Sequence, residues 1–292
     1  MRQNIDYSRP GTPVYVRRLD SFSEGVRTME KALRRGMTQQ GESSLAVSSN
    51  GWHGTRTMAE AIDQAKYGWP EGTKRFRGAM GKIVIEQLIG ERRNFEPYCA
   101  VAGDEPDIGL YLAGEPENML NYELRSDPGG KLATFVINNC VSSHISPERI
   151  INRGAAIAVA HSALTAEGYS VGIEIVSATK LQDKTGYLEY HIPIVHPGDY
   201  VSEDTIAWSI ISPAMLRRMV FALDEDNPPE FRTKLGAYSG GGYGTPNTML
   251  SRPSPGMLLI DMNEGLDLES PKEITDFAQY LVDRTMKLLQ CR

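Results

Sequence analysis

The sequence predicts an α/β protein built on a mostly parallel, doubly wound sheet with one antiparallel strand, preceded by a mainly helical N-terminal region. Three observations predict it. Leu132 to Asn138 is a near-continuous apolar run, the pattern of a strand buried on both faces. Ser146-Pro147-Glu148 opens a helix with a serine cap, a proline in the first turn and an acid beside it, and Gly168 closes that helix. Two further apolar runs, Tyr169 to Val176 and Gly186 to Val195, are joined by a polar link too short for a helix, so they must pair antiparallel.

The elements follow in order. Arg9-Pro10-Gly11-Thr12-Pro13 reads as an extended or turn opening. Ser21-x-x-Glu24 is a capping-box pattern for a helix to about Arg35, closed by Gly36, and Thr57-x-x-Glu60 is a second one, for a helix ending near Gly68. Between them, Thr38 to Gly51 has loop composition. A third helix is expected from Thr73 to Ile89, and residues 92–130 read as irregular. Asp127-Pro128-Gly129-Gly130 is a strong turn and sets the expected boundary between a region 1–129 and an α/β domain 130–292. Beyond the paired strands, Ser202 and Ser212-Pro213 start helices through Trp208 and Leu223. A long loop, 224–256, turns Gly- and Tyr-rich. Met257 to Met262 is a strand, and Ser270-Pro271-Lys272-Glu273 caps the last helix.

Composition narrows the function classes. With 40% hydrophobic and 23% charged residues among 292, the chain is an ordinary globular sequence. Three cysteines, Cys99, Cys140 and Cys291, make no disulfide framework and fit a reducing, cytoplasmic setting. No apolar run reaches the length of a membrane span, and the first residues lack a signal-peptide core, so no membrane partner is expected. Residues 1–100 hold 16 basic and 11 acidic side chains, and the rest of the chain is acidic, with 15 against 26.

The order of elements resembles the von Willebrand factor A domain over about Gly130 to Gln290. In that family the first strand ends in Asp-x-Ser-x-Ser, whose side chains help to hold a divalent cation. The matching positions here are Asn138, Cys140 and Ser142, with Asp261 near the family's fourth-strand turn. Loss of the aspartate removes the charge that a hard cation needs, so the resemblance implies a degenerate site without a metal or other cofactor. Asn138, Ser142, Ser143, Asp261 and Glu264 then become candidates for a protein-binding edge at the strand ends. The wording of Asn138 to Ser143, Arg153-Gly154-Ala155-Ala156 and Tyr67-Gly68-Trp69-Pro70-Glu71-Gly72 resembles a bacteriophage and prophage family, which implies a mobile-element origin and no particular activity.

Cys140 and His144 could form a nucleophile and base for a hydrolase, but an unassisted cysteine at a strand end more often packs. His191 and His196 lie on and just after a strand at odd spacing, so they face opposite sides and are not expected to share a metal. Asp104, Glu105 and Asp107 read as a solvated turn. Trp52, Arg56, Trp69, Lys74, Arg75 and Arg77, with Tyr238 and Tyr243 of the long loop, have the composition of a single-stranded nucleic-acid platform; the tryptophans serve equally as core anchors. No catalytic residue is assigned. The expectation is a non-catalytic binding or assembly protein with a protein partner, and single-stranded nucleic-acid binding is the alternative.

Overall fold

The computed structural model describes residues 3–6, 12–36, 43–47, 52–81, 95–103, 105–124, 132–141, 145–236, 243, 245–251 and 253–290. The chain divides into two compact units, one formed by Met1–Leu88 with Leu132–Arg292 and the other by Ile89–Lys131.

In the first unit the elements run β1 (Gln3–Asp6), β2 (Val14–Arg18), α1 (Phe22–Arg35), α2 (Met58–Tyr67) and α3 (Pro70–Met80) before the excursion to the second unit. There lie β3 (Phe95–Ala100), β4 (Glu105–Pro106), α4 (Ile108–Leu112) and β5 (Met119–Leu124). The first unit resumes with β6 (Leu132–Asn138), α5 (Pro147–Ala166), β7 (Ser170–Lys180), β8 (Tyr187–Val195) and α6 (Glu203–Ile211). A π-helical stretch, Met215–Val220, leads into α7 (Phe221–Glu225) and α8 (Pro229–Leu235). Then come β9 (Thr245–Pro246), β10 (Met257–Ile260) and α9 (Pro271–Gln290).

The sheet of the first unit has the order β1-β2-β8-β7-β6-β10, with β9 pairing β7 off that path. β10, β6 and β7 are mutually parallel, and β8 runs antiparallel to β7, as the short link demanded. The protein is thus α/β with a mostly parallel central sheet, as the apolar runs predicted. The expected boundary at residue 129 does not separate the N-terminal residues from this sheet. β2 pairs parallel with β8, from Val14 opposite Tyr187 to Arg18 opposite His191, and β1 pairs with β2. A short strand whose partner lies some 170 residues away leaves little local signal.

Alternation along β8 assigns the two faces of the sheet. Tyr190 points to the helices, where its hydroxyl donates to Asp224 of α7 at 2.8 Å and accepts from Asn227 at 2.7 Å. On the other face Val136, Val176 and Ala178 pack with Met249, Met257 and Leu259. The segment 247–251 therefore lies over the centre of the sheet.

α5 packs against α3, α6 and α9. Its approach to α6 depends on Gly154, where an added Cβ would lie 2.3 Å from Ile211 Cγ2 and 3.0 Å from Ile210 Cγ2. Gly154→Val is expected to cost about 1–3 kcal/mol, since overpacking outweighs the gain in helix propensity. An unchanged urea midpoint would show that the two helices can separate freely.

The helix caps differ in detail from their sequence patterns. Ser270 and Glu273 form the complete reciprocal box, Glu273 N donating to Ser270 Oγ at 3.2 Å and Ser270 N to Glu273 Oε2 at 2.8 Å. At α1, Ser21 makes no side-chain cap bond and Glu24 accepts from Asp20 N instead, at 2.8 Å. α3 begins at Pro70, not Thr73, because Pro70 sits in the first turn where its missing N–H costs nothing.

The second unit corrects the reading of residues 92–130 as irregular. β3 and β4 both pair antiparallel with β5, giving a three-stranded sheet. Pro97, Pro106 and Gly103 interrupt the alternation by which such short strands are recognised. The 224–256 stretch is likewise not all loop, since it contains α8 and β9. Among the described residues no single helix is long and apolar enough to cross a membrane.

Candidate functional site

The carboxyl ends of β6 and β10 lie side by side, where an α/β sheet places its site. β6 runs out at Asn138 and β10 at Ile260, so Asn138 and Asp261 project from neighbouring strand ends. The Asn138 carboxamide is wholly engaged. Its Nδ2 donates to Asn247 O at 2.9 Å and to Asp261 Oδ1 at 3.2 Å, and its Oδ1 accepts from Cys140 N at 3.1 Å. Asp261 is closed as well. Thr248 Oγ1 donates to its Oδ2 at 2.6 Å and Met262 N to its Oδ1 at 2.8 Å. An amide N–H group thus sits against a carboxylate oxygen and a backbone carbonyl, the kind of oxygens that a hard cation would otherwise gather.

Beneath this set lies Arg153 of α5, which is 3% exposed. Its guanidinium donates to Glu264 O and Asp261 O at 2.8 Å, to Asn138 O at 3.3 Å and to Ile260 O at 3.4 Å. Burial pushes its pKa down to about 10, and Glu264 and Asp261 oppose the fall. Glu264 accepts from Asp261 N at 3.0 Å and pairs with Arg284 at 3.0 Å. Ser142, Ser143 and His144 lie outside the described residues.

Cys140 is fully buried, and its Sγ lies 3.1 Å from Ser177 Oγ. Burial pushes the thiol up to about 11, so it is protonated at neutral pH and is a poor nucleophile. Among the described residues no group of three or more His, Cys, Asp or Glu side chains could hold a metal ion.

A second polar cluster lies on the sheet face under the 247–251 segment, and sequence reasoning missed it. His191 and Glu189, two apart on β8, share that face with Glu174 of β7. His191 Nδ1 lies 2.6 Å from Glu174 Oε1, and its Nε2 lies 3.3 Å from Ser251 Oγ and 3.5 Å from Glu189 Oε2. Glu189 accepts the backbone N–H groups of Leu250 and Ser251, the latter at 3.2 Å, and so ties the segment down. A serine, histidine and glutamate in line resemble a catalytic relay in outline. The histidine, however, is held between two carboxylates. Burial lowers its pKa, but the bonds to Glu174 and Glu189 outweigh that and raise it, which favours an imidazolium that cannot take a serine proton. Glu189 shifts down, because the bonds from His191, Ser251 and Leu250 outweigh its burial.

This cluster makes stability depend on pH from both sides. His191, raised in the folded state, contributes fully below its unfolded pKa of about 6.5, and its contribution is lost as pH rises through the folded value. Glu189, lowered in the folded state, contributes above its unfolded value, and that contribution is lost as pH falls. The facing charges are Glu174, Glu189 and Arg18. Wild type minus His191→Gln, measured as urea midpoints between about pH 6 and 9, is expected to shrink as pH rises. A difference constant across that range would place the charge elsewhere.

Of the nucleic-acid candidates, Trp52 and Tyr243 come together, since both pack on Phe221. Trp52 carries the Arg217 guanidinium 4.4 Å above its ring and meets His53 edge-on at 4.6 Å. Tyr243 stacks on Phe221 at 4.2 Å and donates its hydroxyl to Glu225 at 2.6 Å. Trp69 lies over Gly72, where any Cβ would fall about 2.0 Å from the ring. Arg75 pairs with Glu71 at 2.9 Å and Arg77 with Glu203 at 2.7 Å. Lys74 and Arg56 are exposed, and Tyr238 lies outside the described residues.

No curated protein and no solved structure matches the chain. A family model described as a domain of unknown function, DUF7192, matches residues 3–286, nearly the whole chain, and the protein belongs to that family.

Proposed function

We propose that this chain is a non-catalytic binding or assembly protein, of phage or mobile-element origin, that engages a protein partner and uses its α/β unit as a rigid scaffold. The observation that carries this reading is the closure of the strand-end set. Asn138 supplies an amide where the von Willebrand A-like arrangement has a cation-binding aspartate, and Asp261 spends its oxygens on Asn138, Thr248 and Met262 N. Arg153 is spent on backbone carbonyls, and Cys140 is buried and protonated. Groups that could do chemistry at the strand ends are therefore used to fix them.

The test is capture of the tagged full-length chain from cells of its source, with quantitative mass spectrometry, run with and without nuclease. Enrichment of a stoichiometric protein that survives nuclease is expected. Recovery that depends wholly on intact nucleic acid would favour the single-strand reading. Robust turnover of ester, amide or phosphate substrates, lost in Cys140→Ala, would overturn the non-catalytic reading.

A further inference from the structure

The unit formed by Ile89–Lys131 ends in a tip of unusual composition. β3, β4 and β5 are in register so that Ala100, Pro106 and Met119 lie level across the sheet. Val101 leaves that end after β3, and α4 leaves it after β4. Val101, Ile108, Tyr111 and Leu112 are all exposed, Leu112 to 79% and Tyr111 to 66%. Four large apolar side chains at one end of a small sheet are more than the scattered exposure of an ordinary surface.

The tip is held in one shape. Asp107 caps α4, accepting from Gly109 N at 2.9 Å and Leu110 N at 3.1 Å, and its own N–H donates to Asn118 O at 2.7 Å. Glu115 N donates to Leu110 O at 3.0 Å, and Asn121 Nδ2 holds the 101–103 turn through Ala102 O at 2.7 Å. A surface fixed before binding loses little entropy when it docks.

Charge selects the partner. Residues 94–124 contain seven Asp and Glu and no Lys or Arg. Such a stretch repels phosphate backbones and anionic lipid, and two copies of the tip repel each other. We infer that the tip built from Val101, Ile108, Tyr111 and Leu112 is a docking surface for a partner protein that offers an apolar pocket with a Lys- and Arg-rich rim. Tyr111 and Leu112 fill the pocket, and Glu105, Glu115 and Glu117 meet the rim. This rests on the binding reading above and names its surface.

The test uses three short labelled helical peptides as probes of that chemistry: one with a leucine face and a lysine face, one with leucine and glutamate, and one with lysine and serine. Fluorescence anisotropy with the full chain is expected to show binding of the leucine–lysine peptide alone, weakening with salt. Tyr111→Ser with Leu112→Ser is expected to weaken it about ten-fold or more, as for anchor residues. Tyr200→Ser, at a residue 94% exposed outside the tip, leaves it unchanged. Circular dichroism checks that the variants are folded. Binding that survives the double substitution, or equal binding of all three peptides, overturns the tip assignment. So does absence of binding by the leucine–lysine peptide. In each case the partner capture described above still stands or falls by itself, and a stoichiometric partner retained by the double variant would keep the binding reading while moving its surface elsewhere.

Discussion

Arg218→Met is expected to destabilise the protein by about 3–5 kcal/mol, a large share of a typical domain's 5–15 kcal/mol. Arg218 is completely buried in the π-helical stretch before α7. Its guanidinium donates to Ala46 O at 2.8 Å, Thr55 O at 2.9 Å and Arg56 O at 3.0 Å, and also to Ser44 O. Nε adds Thr55 Oγ1 at 3.3 Å. One side chain thus fastens two separate stretches of the N-terminal region to the helices that precede β9. Methionine keeps much of the volume and leaves the buried carbonyls of Ser44 and Thr55 without this donor. Burial lowers the Arg218 pKa, and the charges of Glu60 and Glu225 oppose the fall. Arg218→Lys should recover only a minor part of the loss, since an ammonium lacks the planar fork that reaches four carbonyls. Urea midpoints decide the matter, and a loss below about 1 kcal/mol for Met would mean that the carbonyls find other partners.

Arg153→Met is expected to have a comparable effect, about 3–5 kcal/mol, with a different signature. Arg153 ties α5 to the ends of β6 and β10 through Asn138 O, Ile260 O, Asp261 O and Glu264 O. Its loss loosens the strand-end set specifically. Cys140, two residues past Asn138 and buried in wild type, should then react faster with an alkylating reagent under native conditions, while exposed Cys99 keeps its rate. A uniform loss of stability with Cys140 still protected would show that Arg153 supports the helix packing and not the strand ends.

Sequence and structure agree where the signals are local. The β6–α5–β7–β8 succession was legible because a double-faced apolar run, a serine–proline cap and a short polar link each act within a few residues. β2 was not, since Val14, Val16 and Arg17 make sense only beside β8. Asn138 and Asp261 stand together in the sequence as strand-end positions of the von Willebrand A-like pattern, but Thr248 and Asn247, which complete their set, arrive from a Gly-rich stretch with no periodicity. Arg153 left a visible mark, as a cation beside Gly154 at the start of the run of apolar residues in α5. Glu189 and His191 left another, as two polar residues at strand spacing inside an apolar run. Both signals are general: a polar group in the middle of a buried pattern must have buried partners.

The closure of the strand ends is tested most directly by thermal shift with magnesium, manganese and calcium. A ligand that binds only the native state raises stability by about 2.7 kcal/mol at a hundred times its dissociation constant, which amounts to several degrees in Tm. With the Asn138 amide bonded to Asp261 and Asn247, no saturable shift is expected with any of the three ions. A saturable rise of several degrees that disappears in Asp261→Ala would contradict it.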